Sequence, residues 1–240
     1  MNIRAVISRQ IYASRSGFSH EKAVPNPECN EFEVNNWMIS DFVLARLVPV
    51  VGCCPFPLNE QMLMAATVCR LKPTHIFEWG TNIGTSARIF YETCKAFAID
   101  CEIHSTDLSD DIDHIEHPGK MRGRLVREKP GVKIHVGDGL NTSLRIAARY
   151  MSEKDFRPLF FVDGDHGYTS VKRELDAIIE QVPKPCVLLH DTFYQSAGSG
   201  YNIGPHQAII DTLKDKANLF KVTSQNLGLP GMTLLWPLKR

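Results

Sequence analysis

The sequence has no excess of charge of either sign, since 27 lysine and arginine residues balance 27 aspartate and glutamate residues. A nucleic-acid-binding protein usually has a basic excess, so the balance argues against such a partner. We interpret the loose basic cluster from Lys120 to Lys129 as a solvated helix face. No apolar run reaches the roughly 18 residues of a membrane span, and the amino-terminal segment lacks the apolar core of a signal peptide. We therefore expect a cytoplasmic protein with neither nucleic acid nor a membrane as partner.

The seven cysteines include no pair with the CxxC spacing of redox and zinc sites. Cys53 and Cys54 are adjacent and cannot easily form a disulfide with each other. This odd and irregular set favours free thiols in a reducing compartment, several of them buried as small apolar side chains. A chain of 240 residues is long enough to bury a sizeable core without disulfides.

Strand and helix patterns alternate from His75 to about Ala217, after a first segment that five prolines interrupt. We divide the chain into residues 1–57, an N-terminal helical extension or lid, and residues 58–240, the main domain. Apolar runs such as LFFV and CVLL predict buried strands, and TSVKRELDAIIEQV predicts an amphipathic crossover helix. Two strands with only a loop between them follow at the carboxyl end, so one strand must be antiparallel. The pattern predicts an α/β fold with a mostly parallel sheet.

Polar residues follow almost every predicted strand at its carboxyl end. These positions are Glu78 to Gly84, Asp107, Asp138, Asp163 to His166, and His190 to Thr192. Ligands of open parallel sheets bind at this edge. The shared location predicts that these residues form one site.

The segment EWGTNIGTS, Glu78 to Ser86, joins a predicted strand to a helix through two glycines. A phosphate-binding P-loop requires GK[ST] where this segment has GTS, and a dinucleotide fingerprint requires glycine where Asn82 stands. Both nucleotide signatures are therefore incomplete. Glu78 is a candidate acceptor for the ammonium group of a ligand, and Asp107 has the spacing of an acid that binds ribose hydroxyls. Asp138 is placed to meet an adenine edge, with a helix cap as the alternative.

The segment FVDGDHGYTS places two aspartates and a histidine directly after a buried strand. The residue types alone are compatible with a metal site, with proton transfer and with a helix cap. For Asp165 we favour a structural role at the start of the following helix. The role of His190, directly before Asp191, is left open between a structural bond and a function.

These motifs, in this order, resemble those of the class I S-adenosylmethionine (SAM)-dependent methyltransferases. The matching pieces are EWGTNIGTS, STDL, GDG, FVDGDHGYTSVKRELDAI and LLHDT, within about Glu60 to Trp236. The group that is most similar comprises small-molecule O-methyltransferases with DGDH and HD strand-end motifs. The resemblance implies a Rossmann-like mixed seven-stranded sheet, with the last strand antiparallel and helices on both faces. It implies cofactor contacts at Glu78, Gly80, Thr81, Asn82, Gly84 and Ser86 (methionine moiety), Asp107 (ribose), Asp138 and Gly139 (adenine), and Asp163.

The same resemblance implies methyl transfer to a hydroxyl of a small molecule, with His166 and Asp163 as catalytic residues. A sugar or other hydroxylated metabolite is the expected acceptor. Related catechol-type and sugar-type enzymes hold a divalent ion with carboxylates at these strand ends. Mg²⁺ between Asp163 and Asp191 is therefore one alternative, and a site without metal is the other. The rival functions are a nicotinamide-dependent oxidoreductase and a non-catalytic cofactor-binding protein. Residues 1–57 are a candidate lid or a contact of a homo-oligomer.

Overall fold

The computed structural model describes residues 32–109, 111–112 and 119–238. Most of the predicted N-terminal extension, residues 1–31, lies outside this part of the chain. The helices are α1 (Asn36–Phe42), α2 (Val48–Val51), α3 (Leu58–Leu71), α4 (Thr85–Ala96), α5 (Gly139–Ala147), α6 (Tyr168–Gln181) and α7 (Ile203–Leu213), with a π-helical turn (Val43–Leu47) between α1 and α2. The strands are β1 (His75–Trp79), β2 (Glu102–Asp107), β3 (Val132–Val136), β4 (Pro158–Val162), β5 (Cys186–His190), β6 (Phe220–Gln225) and β7 (Met232–Pro237).

The seven strands form one sheet in the order β3-β2-β1-β4-β5-β7-β6. Strands β1 to β5 pair in parallel, whereas β7 is antiparallel to both of its neighbours. This confirms the predicted mixed sheet with an antiparallel last strand. The chain reverses its direction of winding between β1 and β4, so these two strands flank the topological switch point where α/β proteins bind ligands.

Helices cover both faces of the sheet, and each face has its own apolar core. Phe160 and Phe161 follow each other in β4 and point to opposite faces, as alternation in a strand requires. Phe161 packs with Phe90 of α4 in one core, and Phe160 packs with Phe77 of β1 in the other. Every residue of β1, β4 and β5 is buried. These strands therefore form the rigid centre on which the polar strand ends are mounted.

The described part of the N-terminal region packs onto the first of these cores. Asn35 is the N-cap of helix α1, and its side chain accepts a hydrogen bond from the Met38 amide at 3.2 Å. Phe42 is buried and meets Phe97 edge to face, with 5.1 Å between the ring centroids. The role of residues 1–57 as a lid stays a prediction. Among the described residues, no helix combines the length and the apolar character that crossing a membrane requires.

Candidate active site

The loop from β1 to α4 lies against the end of β4, because its glycines permit a close approach. Gly80 has φ 90°, and a Cβ added there would collide with the Asp163 carbonyl group. Gly84 has φ 91°, and a Cβ there would lie 2.9 Å from a methyl group of Val126. Both residues adopt a backbone conformation that favours glycine. The spacing of these two glycines in the sequence therefore reflects a real constraint on this turn.

Glu78 is completely buried below this loop. Its Oε1 accepts a hydrogen bond from the Ser105 hydroxyl at 2.5 Å, and Ser105 also contacts the hydroxyl of Thr81 at 2.6 Å. Oε2 of Glu78 has no hydrogen-bond partner among the described residues. Burial raises the pKa of Glu78 to about 7. A buried carboxyl group with an open oxygen fits the ammonium group of a ligand such as SAM, which would both neutralise and satisfy it.

Asp107 ends β2 and holds the glycine loop in place. Its Oδ2 accepts a hydrogen bond from the Asn82 amide at 2.9 Å, and its Oδ1 accepts one from Leu108 at 2.8 Å. A carboxylate has about four acceptor sites, so Asp107 can also accept bonds from ribose hydroxyls. Arg122 Nε lies 3.5 Å from Oδ2 of Asp107, and Arg122 is only 8% exposed. The interpretation of the basic cluster as a solvated face is therefore wrong for Arg122, because pairing with Asp107 permits its burial.

Asp138 lies one strand further out and serves as the N-cap of α5. Its Oδ1 accepts a hydrogen bond from the Asn141 amide at 2.7 Å, and its Oδ2 lies 3.3 Å from Arg173. The cap that the sequence left as an alternative is thus present, and a contact of Asp138 with adenine stays a prediction. Gly139 packs directly against the Trp79 ring, so any larger residue there would collide with the indole.

His190, at the end of β5, bonds carboxylates through both of its ring nitrogens. Nδ1 lies 2.9 Å from Oδ1 of Asp163, and Nε2 lies 3.0 Å from Oε2 of Glu60. The other oxygen of Glu60 accepts a hydrogen bond from the Gly231 amide at 2.8 Å. Sequence reasoning missed Glu60, because an acidic residue in the first turn of a helix is ordinarily explained by the helix dipole. Its near-complete burial becomes apparent only in the fold.

The two carboxylates hold His190 in its protonated form. Burial alone would lower the pKa of His190, but the charge of Asp163 and hydrogen bonds to Asp163, Asp191 and Glu60 raise it to about 12. Burial would raise the pKa of Asp163, yet the neighbouring His190 and His166 keep it below its usual value. Asp163 is therefore an ionised carboxylate, and His190 is its buried cationic partner.

The donor set at this position does not fit Mg²⁺. Asp163, His190 and Asp191 each offer one ligand atom, and these atoms lie within 4.8 Å of one another. Mg²⁺ prefers an octahedron of oxygen ligands, whereas here the His190 Nδ1 atom lies 2.9 Å from Asp163 and 3.4 Å from Asp191. When protonated, that nitrogen places an N–H group between the two carboxylates that would have to hold the ion.

His166 lies at the mouth of the site, with 39% of its side chain exposed. Its Nε2 lies 3.1 Å from Oδ2 of Asp191 and 3.9 Å from Oδ1 of Asp163. Asp191 is buried, and its Oδ1 accepts a hydrogen bond from the Tyr201 hydroxyl at 3.2 Å. The structure thus brings the two acidic strand ends of β4 and β5 together under a histidine that solvent can reach.

Asp165 organises the start of α6. One of its oxygens accepts a hydrogen bond from the Gly167 amide at 2.8 Å, and the other accepts one from the Ser170 hydroxyl. This agrees with the structural role that the sequence favoured. Ser86 is buried in the first turn of α4. The predicted cofactor residues around Gly80 and Asp107, together with Asp163 and His166, therefore share the edge at the switch point, while Asp138 lies beyond β2.

Comparisons with solved structures identify proteins of the same architecture. The SAH-bound methyltransferase PaMTH1 of Podospora anserina is 17% identical, with a TM-score of 0.53 and coverage of 100% of this chain and 97% of that chain. The SAH complex of an O-methyltransferase from Bacillus cereus is 13% identical, with a TM-score of 0.54 and coverage of 91% and 96%. CalS11, a TDP-rhamnose 3'-O-methyltransferase, is 14% identical, with a TM-score of 0.53 and coverage of 90% of each chain.

No protein-family model matches the sequence, and no curated protein matches it. At sequence identities of 17%, 13% and 14%, the similarity to these three proteins shows a shared fold. The strand order, the antiparallel β7 and the near-complete coverage agree with the Rossmann-like sheet that the sequence motifs implied. The chain therefore has the α/β fold of the SAM-dependent methyltransferases.

Proposed function

We propose that this protein is a SAM-dependent O-methyltransferase that acts on a hydroxyl group of a small molecule. The observation that carries the proposal is the convergence of three features at the switch point between β1 and β4. These features are the glycine loop over a buried glutamate, the ribose-binding candidate Asp107, and the anchored His166. The fold that the chain shares with SAH-bound methyltransferases supports the choice of cofactor.

The cofactor would lie along the carboxyl edge of β1 and β2. SAM, when bound, would supply an activated methyl group on a positively charged sulfonium. Gly80 and Gly84 allow the methionine moiety to approach the backbone, with Thr81, Asn82 and Ser86 beside it. Glu78 accepts from the ammonium group, and Asp107 accepts from the ribose hydroxyls. Asp138 and Gly139 would border the adenine.

The acceptor hydroxyl would be activated by His166. In the tautomer whose Nε2–H donates to Asp191, the lone pair of the ring is on Nδ1. Nδ1 would take the proton of the acceptor hydroxyl, whose oxygen would then be able to accept the methyl group that bound SAM supplies. Asp191 holds the imidazole in this orientation and stabilises the imidazolium that results. Asp163 contributes negative charge beside the reacting groups.

In this mechanism the protonated His190 would supply the positive charge that Mg²⁺ supplies in related enzymes. Both of its ring nitrogens face acidic side chains at hydrogen-bond distance, on Glu60 and on Asp163. Ionised carboxylates only accept hydrogen bonds, so both nitrogens must donate and the ring carries a positive charge. This cation balances the buried carboxylates without Mg²⁺.

The acceptor class is a hydroxylated metabolite, with a sugar as the first choice. A TDP-rhamnose 3'-O-methyltransferase is among the solved structures of the same fold. The segment between β5 and α7 adds Tyr194 and Tyr201, both partly exposed at the same edge, and aromatic side chains there can cover a bound acceptor. We further propose that the protein is cytoplasmic and forms a homo-oligomer, and that residues 1–57 act as a lid.

Calorimetry with SAM and with NAD tests the proposed function directly. The full chain should bind SAM and show no heat with NAD. Methyl transfer from labelled SAM to a panel of sugars and other hydroxylated metabolites then tests catalysis. Binding of NAD instead of SAM would favour the oxidoreductase, and SAM binding without transfer to any acceptor would favour a non-catalytic protein.

A further inference from the structure

A second group of potential ligands lies at the opposite edge of the sheet, away from the candidate active site. His75 and Glu102 are the first residues of β1 and β2, and they are paired in register. His104 lies two residues further along β2, so its side chain is on the same face as that of Glu102. One ligand atom each of His75, Glu102 and His104 lies within 4.8 Å of the other two.

The Nδ1 atom of each of the two imidazoles, His75 and His104, is already in contact with a polar partner. Nδ1 of His75 lies 3.1 Å from the hydroxyl of Thr74, and Nδ1 of His104 lies 3.1 Å from Nε2 of His135. Metal-binding histidines characteristically use one nitrogen for the ion and the other for such an orienting hydrogen bond. With Nδ1 engaged, Nε2 is left as the ligand atom of each ring.

The Nε2 atom of His104 is buried without a hydrogen bond. His104 is 3% exposed, and its Nε2 has no hydrogen-bond partner among the described residues. The nearest carboxylate oxygen, Oε2 of Glu102, lies 3.4 Å away. A buried polar atom without a partner is costly. The distance between Nε2 of His104 and Oε2 of Glu102 is close to the separation of about 3.4 Å between two ligand atoms of one tetrahedral zinc ion.

From this arrangement we infer that His75, His104 and Glu102 form a binding site for a divalent transition-metal ion of the Zn²⁺ class. Two imidazole nitrogens and one carboxylate oxygen suit Zn²⁺ far better than Mg²⁺ or Ca²⁺. Three protein ligands leave a fourth tetrahedral position for water. The ion would tie the amino ends of β1 and β2 together, at the edge of the sheet opposite the candidate active site.

The surroundings hold the two imidazoles in place. The rings pack among aromatic side chains, with Tyr150 4.1 Å and Phe77 6.0 Å from His75 between ring centroids. Packing of this kind restricts the ring orientations and lowers the entropy cost of binding an ion.

Lys133 is the competitor that a metal ion must displace. Its Nζ lies 2.7 Å from Oε2 of Glu102. Both side chains are exposed by more than two fifths, at 49% and 42%. Exposed ion pairs contribute little to stability, so Lys133 can yield to a dication at little cost. The exposed side of Glu102 also provides the route by which an ion enters.

Two titrations of the metal-free full chain test this site. Calorimetry measures the binding of Zn²⁺, and visible absorption measures the binding of Co²⁺. We expect one Co²⁺ per chain with the intense bands of four-coordinate cobalt. Glu102→Gln should weaken Zn²⁺ binding by at least about tenfold. His104→Phe, which keeps an aromatic ring in the stack, should abolish the cobalt bands.

Two matched controls locate the ion. Glu92→Gln and His206→Phe remove the same side-chain types elsewhere, and both should leave the affinity unchanged. Because Glu102 is partly exposed, Glu102→Gln should fold even if His104→Phe does not, and circular dichroism checks this. The site is refuted if the wild-type chain binds no ion, or if Glu102→Gln and folded His104→Phe bind Zn²⁺ as tightly as the wild type.

Discussion

Oε2 of Glu60 lies 3.0 Å from Nε2 of His190, which joins the first turn of α3 to the end of β5. Both residues are buried, and Glu60 also accepts the Gly231 amide at the start of β7. One carboxylate therefore connects three separate parts of the chain behind the candidate active site. Its contribution should be measurable both in stability and in the ordering of Asp163.

Glu60→Gln should destabilise the protein by about 3–5 kcal/mol, because it leaves a buried imidazolium with one fewer carboxylate. Urea denaturation at pH 7 measures the loss. Glu92→Gln is the matched control, since Glu92 pairs with Arg88 one helical turn away at a partly exposed position. That change should cost less than about 1 kcal/mol. Equal effects of the two changes would contradict the central role of Glu60.

His166→Ala should reduce kcat by about 10²–10⁴-fold, since the general base is removed. Affinity for SAM should stay within about twofold of wild type by calorimetry, an estimate based on placing the base outside the cofactor contacts. Wild-type kcat in His166→Ala would remove this residue as the base.

Affinity for SAM should rise with pH between about 6 and 8. The pKa of Glu78 is raised to about 7 by burial, and the ammonium group of the cofactor requires the carboxylate form. The contribution of Glu78 to the stability of the free protein has the opposite trend. It is fully present below the ordinary pKa of 4.5 and is lost as the pH rises through about 7.

Glu78→Gln separates these two effects. It should weaken SAM binding and remove this pH dependence of affinity, while making the free protein no less stable at pH 8. Calorimetry and thermal unfolding at three pH values suffice. Persistence of the full pH dependence in the variant would assign it to another group.

Gly80→Ala should strongly reduce both stability and SAM affinity. The added Cβ meets the Asp163 carbonyl group, and φ at this position is 90°. Gly198→Ala is the control, because a Cβ at Gly198 meets no atom within 4 Å. Thermal unfolding and calorimetry should show a loss of stability and of SAM affinity in Gly80→Ala and no such loss in Gly198→Ala.

Methyl transfer should be unchanged by EDTA and should gain nothing from added Mg²⁺. The physical reason is the imidazolium of His190 between the acidic side chains. Initial rates before and after chelation, with a metal-dependent methyltransferase assayed in parallel, provide the measurement. A rate that falls with EDTA and returns with Mg²⁺ would reinstate Asp163 and Asp191 as metal ligands.

The strand pattern and the strand-end residues could be predicted because each depends on a short stretch of chain. The alternation of LFFV and CVLL with amphipathic helices predicted a mostly parallel α/β sheet, the resemblance of the motifs implied its seven strands, and the glycines of EWGTNIGTS marked the turn. Glu60 and Arg122 could not be predicted in the same way. Each is buried only through a partner far away in sequence, His190 for Glu60 and Asp107 for Arg122. Local patterns therefore assign both residues to the surface.

The hydrogen bond from Gly231 to Glu60 spans 171 positions of the sequence. Strand β7 also lies beside β5, so the end of β5 has no neighbour on that side until the last strand is in place. During synthesis, α3 and β1 to β5 emerge long before Gly231 does. The bond between Gly231 and Glu60 can therefore form only after 171 further positions of the chain have been synthesised, and a chain that ends before Gly231 would lack it.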